Sequence, residues 1–130
     1  YSINVIVENH WGNSSNPEWL VSVIKAVNKS NCGVLPDFGN FDKADKYLAV
    51  AQMMPYAKGV SAKSYEFDAQ GNETKVDFKK MLEIVKKSGY NSYIGIEYEG
   101  ERLSEEDGIK ATIDLITDCY KMYSLTRSKR

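Results

Sequence analysis

This chain alternates, four times over, a short strand-like run and a longer stretch with helical periodicity. The runs are Ile3–Glu8, Cys32–Pro36, Ala57–Ala62 and Tyr93–Ile96. In the first, Ile3, Val5, Ile6 and Val7 are nearly continuous, the pattern of a parallel strand covered on both faces. The helical stretches carry their own start and stop signals. Asn16-Pro17-Glu18 is an N-cap, a first-turn proline and an acid at the positive dipole end, followed by Trp19, Leu20, Val23, Ile24 and Val27 to about Ser30. A second helix is expected over Lys43–Met54, with Tyr47, Leu48, Ala51 and Met54 on its buried face and Pro55 as its stop. Asp77 caps a third, with Phe78, Met81, Leu82 and Val85 in period and Gly89 after its end. Ser104 and Asp107 open a fourth in capping-box fashion, with Ile109, Ile113, Ile116 and Tyr120 as its buried face. Leu125–Arg130 reads as a frayed basic tail. Between the third strand and third helix lies an excursion, Lys63–Val76, whose Asp68–Asn72 has the chemistry to bend a small hairpin.

A strand–helix order of this kind means an α/β protein with a parallel sheet. Two architectures fit this order: an open, doubly wound sheet of four strands, such as a phospho-acceptor domain using Asp37, and four units of a (β/α)8 barrel. Both place function at the carboxyl ends of the strands, where this sequence carries Glu8, Asp37 and Glu97. Carboxylates converging there would repel one another unless a cation joined them, and Mg²⁺ or Mn²⁺ prefers such oxygen ligands. Two of them could also exchange protons with a carbon acid.

The remaining composition narrows the function. A formal net charge of −1 offers no basic field for nucleic acid, and no run of 18 apolar residues is present to span a membrane. Cys32 and Cys119 have no metal or redox spacing and read as buried thiols, and a single histidine, His10, excludes a His-cluster site. Asp37-Phe38-Gly39 matches a kinase metal motif, but without the accompanying glycine-rich loop it reads as coincidence. Trp11 is expected at a pocket wall or rim. The chain opens without Met inside a strand, so its natural N-terminus is expected upstream, and the sequence assigns no compartment.

The segments VIVENHWG, GVLPDFGNF, MPYAKGVSAKSYEFD, DFKKMLEIVKKSGYNSYIGIEYEG and EEDGIKATIDLI, in this order from about Asn4 to Ile116, resemble the C-terminal half of the sugar phosphate isomerase/epimerases of the xylose isomerase-like TIM-barrel superfamily. The resemblance implies that residues 1–130 form a single partial domain, strands five to eight of a (β/α)8 barrel, completed by a missing N-terminal half or by a second copy in a homodimer. It implies a metal-dependent isomerase or epimerase of a small sugar or sugar phosphate, moving a proton beside a carbonyl. One divalent ion (Mn²⁺, Mg²⁺, Co²⁺ or Zn²⁺) would be held by Glu8, Asp37 and Glu97, with Glu8 and Glu97 as the two catalytic bases. His10, Asn40 and Lys63 are the implied substrate contacts. Ser61 stands where the family places a histidine ligand, and a neutral hydroxyl is a poorer ligand for a transition metal, so a harder ion, or His10 or Glu66 moving in, is expected. The alternative is a non-catalytic, carbohydrate-binding member that has lost the metal. Asn40 also departs from the substrate-contacting His of some epimerases.

Overall fold

The computed structural model describes residues 3–41 and 43–127, with side chains as far as Lys121. Its strands are β1 (Val5–Glu8), β2 (Cys32–Leu35), β3 (Val60–Ser64) and β4 (Ile94–Tyr98). They alternate with helices α1 (Pro17–Val27), α2 (Lys46–Met53), α3 (Phe78–Lys87) and α4 (Glu105–Arg127). β1 pairs with β2 and β3 with β4, all parallel. Isolated parallel bridges, Val34 to Ala57 and Asp37 to Ser61, join the two halves. There the Lys58 N–H donates to the Val34 carbonyl at 3.0 Å and the Phe38 N–H to the Ser61 carbonyl at 3.1 Å. The strands therefore lie side by side in chain order. Right-handed crossovers between successive parallel neighbours put every helix on the same face. The helices accordingly pack in sequence, α1 on α2, α2 on α3 and α3 on α4. A doubly wound sheet would reverse strand order and carry helices on both faces; this arrangement is an arc of a barrel wall.

The two faces differ as alternation along a strand requires. Outward residues Val34, Val60 and Ala62 meet Leu20, Val21, Ile24, Val50, Met53, Phe78, Met81, Leu82 and Val85 in one apolar core. The inner face carries Ile6, Leu35 and Gly59 in one layer: a Cβ on Gly59 would lie 2.8 Å from Leu35 Cδ1 and 3.6 Å from Ile6 Cδ1. Above that layer the inner positions turn polar.

Capping follows the local signals. Asn16 Oδ1 accepts the N–H groups of Glu18 and Trp19, Asp77 caps α3, and Ser104 Oγ donates to Asp107 Oδ2 at 2.8 Å. Gly89 follows α3 with φ +79°, the left-handed conformation glycine tolerates. The excursion folds into the expected hairpin, with Phe67 bridged to Glu73 and Asp68 accepting from Gln70 and Asn72. α1 stops at Val27, short of Ser30, because Asn28 turns left-handed at φ 46°. α2 starts at Lys46, not Lys43, because Asp45 is its cap.

Several boundaries and faces depart from the periodicity. β3 is displaced toward Ser64, and β4 runs through Tyr98, so Glu97 lies within the strand and not beyond its end. Ladder pairing with β3, Lys63 opposite Glu97 and Ser64 opposite Tyr98, carries the strand on. On α2 the buried residues are Ala49, Val50 and Met53, while Leu48 is 72% exposed. On α4, Ile109, Ile113 and Tyr120 are exposed, and Thr112 and Cys119 are buried with Leu115 and Ile116 half-buried. Two polar and close contacts decide that face. Thr112 Oγ1 lies 2.7 Å from Ser64 Oγ, and the Tyr98 ring packs so closely on Gly108 that no Cβ would fit. Cys119 is buried, Cys32 half-buried, and both are free. No described helix is long and apolar enough to cross a membrane. The expected tail begins inside α4, which continues to Arg127; residues 128–130 lie outside the described residues.

Candidate metal centre

Glu8 ends β1, Asp37 stands two residues beyond β2, and Glu97 lies in β4; each offers a carboxylate oxygen, and the three atoms lie within 4.8 Å of one another. Asp37 is fully buried. Its Oδ1 accepts the N–H groups of Gly39 (2.8 Å) and Asn40 (2.9 Å), while Oδ2 has no hydrogen-bond partner. Burial pushes the Asp37 carboxyl above its ordinary range, against the opposing pull of the Gly39 N–H, the nearby Ser61 hydroxyl and the Lys63 charge. The Ser61 hydroxyl itself donates to Glu97 Oε2 at 3.2 Å.

The Asp-Phe-Gly tripeptide has a structural reason. Phe38 is buried edge-on against Phe78, with ring centroids 5.6 Å apart. Gly39 has no room for a side chain: a Cβ would overlap the Tyr65 hydroxyl and lie 3.0 Å from Lys63 Cδ.

Lys63 is fully buried. Its Nζ lies 3.1 Å from Glu97 Oε1, 3.1 Å from Glu99 Oε1 and donates to Asn40 Oδ1 at 3.2 Å. An ammonium has three donors, and here each has a protein acceptor, so none is left for the substrate contact that the resemblance implies for Lys63. Burial pulls the Lys63 ammonium down, but hydrogen bonds to Glu99 and Glu97 and the charges of Asp37 and Glu97 outweigh it, so it stays above its ordinary value. Asn40, also buried, completes a bridge by donating to Glu8 Oε1 at 3.2 Å.

The residues expected at the site are distributed unevenly. Glu8, Asp37 and Glu97 meet one another, and Asn40, Ser61 and Lys63 surround them. His10 is exposed on the loop after β1, where its N–H donates to Ser14 Oγ at 2.9 Å. Trp11, 54% exposed, has φ 55° and ψ 167°, a conformation suited to glycine, held by the Ser14 hydroxyl donating to its carbonyl at 3.2 Å. Glu66 pairs with Arg102 at 3.1 Å and does not join the three-carboxylate group. Two supporting residues went unnoticed in the sequence. Asn9, fully buried, accepts the Asp37 N–H at 2.7 Å and donates to the Asp37 carbonyl at 3.1 Å, fixing the Asp37 loop. Glu73 accepts four backbone N–H groups, from Tyr65, Glu66, Lys75 and Val76, and closes the excursion beside the site. An Asn directly after a strand-end Glu was the one local cue to the first.

The donor set fits a divalent cation. Asp37 Oδ2 is buried, unpartnered and grouped with two further carboxylate oxygens, and the single ammonium of Lys63, shared with Glu99, leaves the group with net negative charge to be neutralised.

The fold and this acidic cluster at the strand ends define the class. The chain belongs to the xylose isomerase-like TIM barrel family, whose model matches residues 1–119. Among curated proteins it is similar to the C-glycoside deglycosidase alpha subunit of Arthrobacter globiformis, 35% identical over 75 residues, covering 58% of this chain and 20% of that subunit. Among solved structures it resembles a xylose isomerase domain protein from Planctomyces limnophilus, with a TM-score of 0.58 and 16% identity, over 96% of this chain and 47% of that one. The chain thus spans a fifth of the curated relative and about half of the solved barrel.

Proposed function

We propose that this chain carries the catalytic carboxylates of a metal-dependent enzyme that isomerises or epimerises a sugar or sugar phosphate by moving a proton at the carbon beside a carbonyl. The observation that carries the proposal is the meeting of Glu8, Asp37 and Glu97 oxygens within 4.8 Å around the unpartnered Asp37 Oδ2. A divalent ion held there would polarise the substrate carbonyl and stabilise the negative charge that grows on its oxygen. Asp37, anchored by two backbone N–H groups, is the fixed ligand. Glu8 and Glu97 are longer and reach solvent; one takes the proton from one face of the carbon, and the other, protonated beforehand, gives up its own proton to the opposite face. His10, exposed on the loop after β1, contacts the sugar hydroxyls, while Asn40, buried between Lys63 and Glu8, positions Glu8. The deglycosidase relative supports a sugar-derived substrate.

The active protein is a completed barrel in which residues 1–130 form the second half as one partial domain. Exposed Ile3, Val5 and Ile6 at the β1 edge, and Ile109, Ile113 and Tyr120 on α4, support further strands and helices there, supplied by an N-terminal half or a second copy. One observation favours a second reading, a carbohydrate-binding member without catalysis: Ser61 occupies the position of the family's histidine ligand and its hydroxyl is engaged with Glu97.

The test equilibrates the completed barrel, residues 1–130 together with the half that closes it, with Mn²⁺, Mg²⁺, Co²⁺ or Zn²⁺, measures retained metal by plasma mass spectrometry, and follows deuterium incorporation from D₂O into a panel of ketoses, aldoses and their phosphates by NMR. Near-stoichiometric metal, lost in Glu97→Gln, with exchange abolished in Glu8→Gln, is the expected result. Retained metal without exchange would favour the binding reading. Absence of metal in every condition would refute the metal-dependent one.

A further inference from the structure

Resting on the cation reading above, we infer that Lys63 is the resident counter-ion of the carboxylate cluster. It is a positioning residue that holds Glu97 directly, and Glu8 through Asn40, before any cation arrives, and it lowers the negative charge that the cluster presents to a cation.

A lysine is almost never fully buried unless its charge is paired. Lys63 is 0% exposed, in a β3 strand whose other residues are Val60, Ser61, Ala62 and Ser64. Strand alternation puts it on the inner face with Ser61, and the ladder sets it directly opposite Glu97. Its three donors meet three acceptors at 3.1, 3.1 and 3.2 Å, and one of those, Asn40, passes the constraint on to Glu8 Oε1 at 3.2 Å. The ammonium is therefore linked to two of the three carboxylates. Without it, three negative charges would stand on atoms within 4.8 Å of one another. With it, the negative charge that a cation meets falls by one; Glu99, at the same 3.1 Å from Nζ and with its side chain 50% exposed, shares that ammonium from outside the trio. The same arrangement explains how the site tolerates Ser61: with Lys63 on Glu97 Oε1 and the Ser61 hydroxyl on Oε2, Glu97 is held without a neighbouring imidazole.

The test is a double-mutant cycle of thermal unfolding in EDTA, using wild type, Lys63→Met, Glu97→Gln and the double variant, because Met fills much the same space without charge. The expected result is a loss of melting temperature in Lys63→Met that Glu97→Gln partly restores. A double variant at or below the sum of the two single losses would overturn the assignment, since it would show that Lys63 only fills space. If Lys63→Met fails to fold, folding of the double variant supports the counter-ion role and its failure overturns it. A second arm measures Mn²⁺ and Tb³⁺ binding calorimetrically. Loss of one buried positive charge should raise the ratio of Tb³⁺ to Mn²⁺ affinity by roughly tenfold or more, whatever happens to geometry, and an unchanged ratio overturns the charge-setting role. Binding of neither ion by the wild type overturns the cation reading itself, and the unfolding cycle then decides the counter-ion role alone.

Discussion

Asp37 carries the site's electrostatic strain, and Asp37→Asn should relieve it. The asparagine oxygen keeps both bonds that Oδ1 accepts from Gly39 and Asn40. The charge opposite Glu8 and Glu97 disappears. At 4.8 Å two like unit charges repel by about 3.5 kcal/mol at an effective dielectric near 20, and by about 0.9 kcal/mol in water. Glu97 has 40% of its side chain exposed and Glu8 is half-buried, so the lower figure is the closer one, giving about 2 kcal/mol for the two neighbours. Lost attraction to Lys63 returns part of this. A net gain of about 1 kcal/mol in the cation-free protein corresponds to a rise of roughly 4 °C in melting temperature for a chain of this size.

The assay is scanning calorimetry in EDTA at neutral pH, repeated with saturating Mn²⁺, where the order should reverse because only the wild type binds the ion fully. A pH series sharpens it. The Asp37 carboxyl is raised in the fold, so the folded state binds its proton more tightly than the unfolded chain does. Cation-free wild type should therefore gain stability from this group as pH falls from neutral through the raised value toward the ordinary 3.8, and the gap to Asp37→Asn should close. An Asp37→Asn protein that melts at or below wild type in EDTA, or a gap that stays constant with pH, would refute the reasoning.

Other substitutions test the surroundings. Asn9→Ala leaves the buried Asp37 N–H without its acceptor and should cost about 1–3 kcal/mol, read as a fall in urea midpoint. Glu73→Ala removes the acceptor of four backbone N–H groups and should cost about 2–3 kcal/mol, with new proteolytic cleavage confined to 65–76. Ser61→His, beside the side-chain-free Gly95, should tighten Co²⁺ and Zn²⁺ relative to Mg²⁺ by about tenfold, or ~1.4 kcal/mol, in competition titrations. Gly108→Ala drives a methyl into the Tyr98 ring and should lower stability by about 1–3 kcal/mol without altering metal content.

The strand–helix alternation, the caps at Asn16, Asp77 and Ser104, and the three acids Glu8, Asp37 and Glu97 are legible in one dimension, because they are written in local periodicity and in residue types at fixed offsets. The choice between a doubly wound sheet and a barrel wall lay beyond periodicity; a family resemblance pointed to the barrel, and strand order in space carries it. The α3 face of Phe78, Met81, Leu82 and Val85 is buried as its periodicity predicts, whereas the buried faces of α2 and α4 follow from their neighbours in space. α4 presents Thr112 and Gly108 inward, not Ile109 and Ile113, because Ser64 and Tyr98 on the neighbouring strands select a hydroxyl and a glycine there. β4 runs through Glu97 because β3 continues beside it. The roles of Asn9, Asn40 and Lys63 depend on partners 28, 32 and 34 positions away, such as Asp37, Glu8 and Glu97. A buried polar side chain is placed by whichever donors and acceptors the fold brings to it, and a one-dimensional pattern of apolar and polar residues holds no record of that pairing.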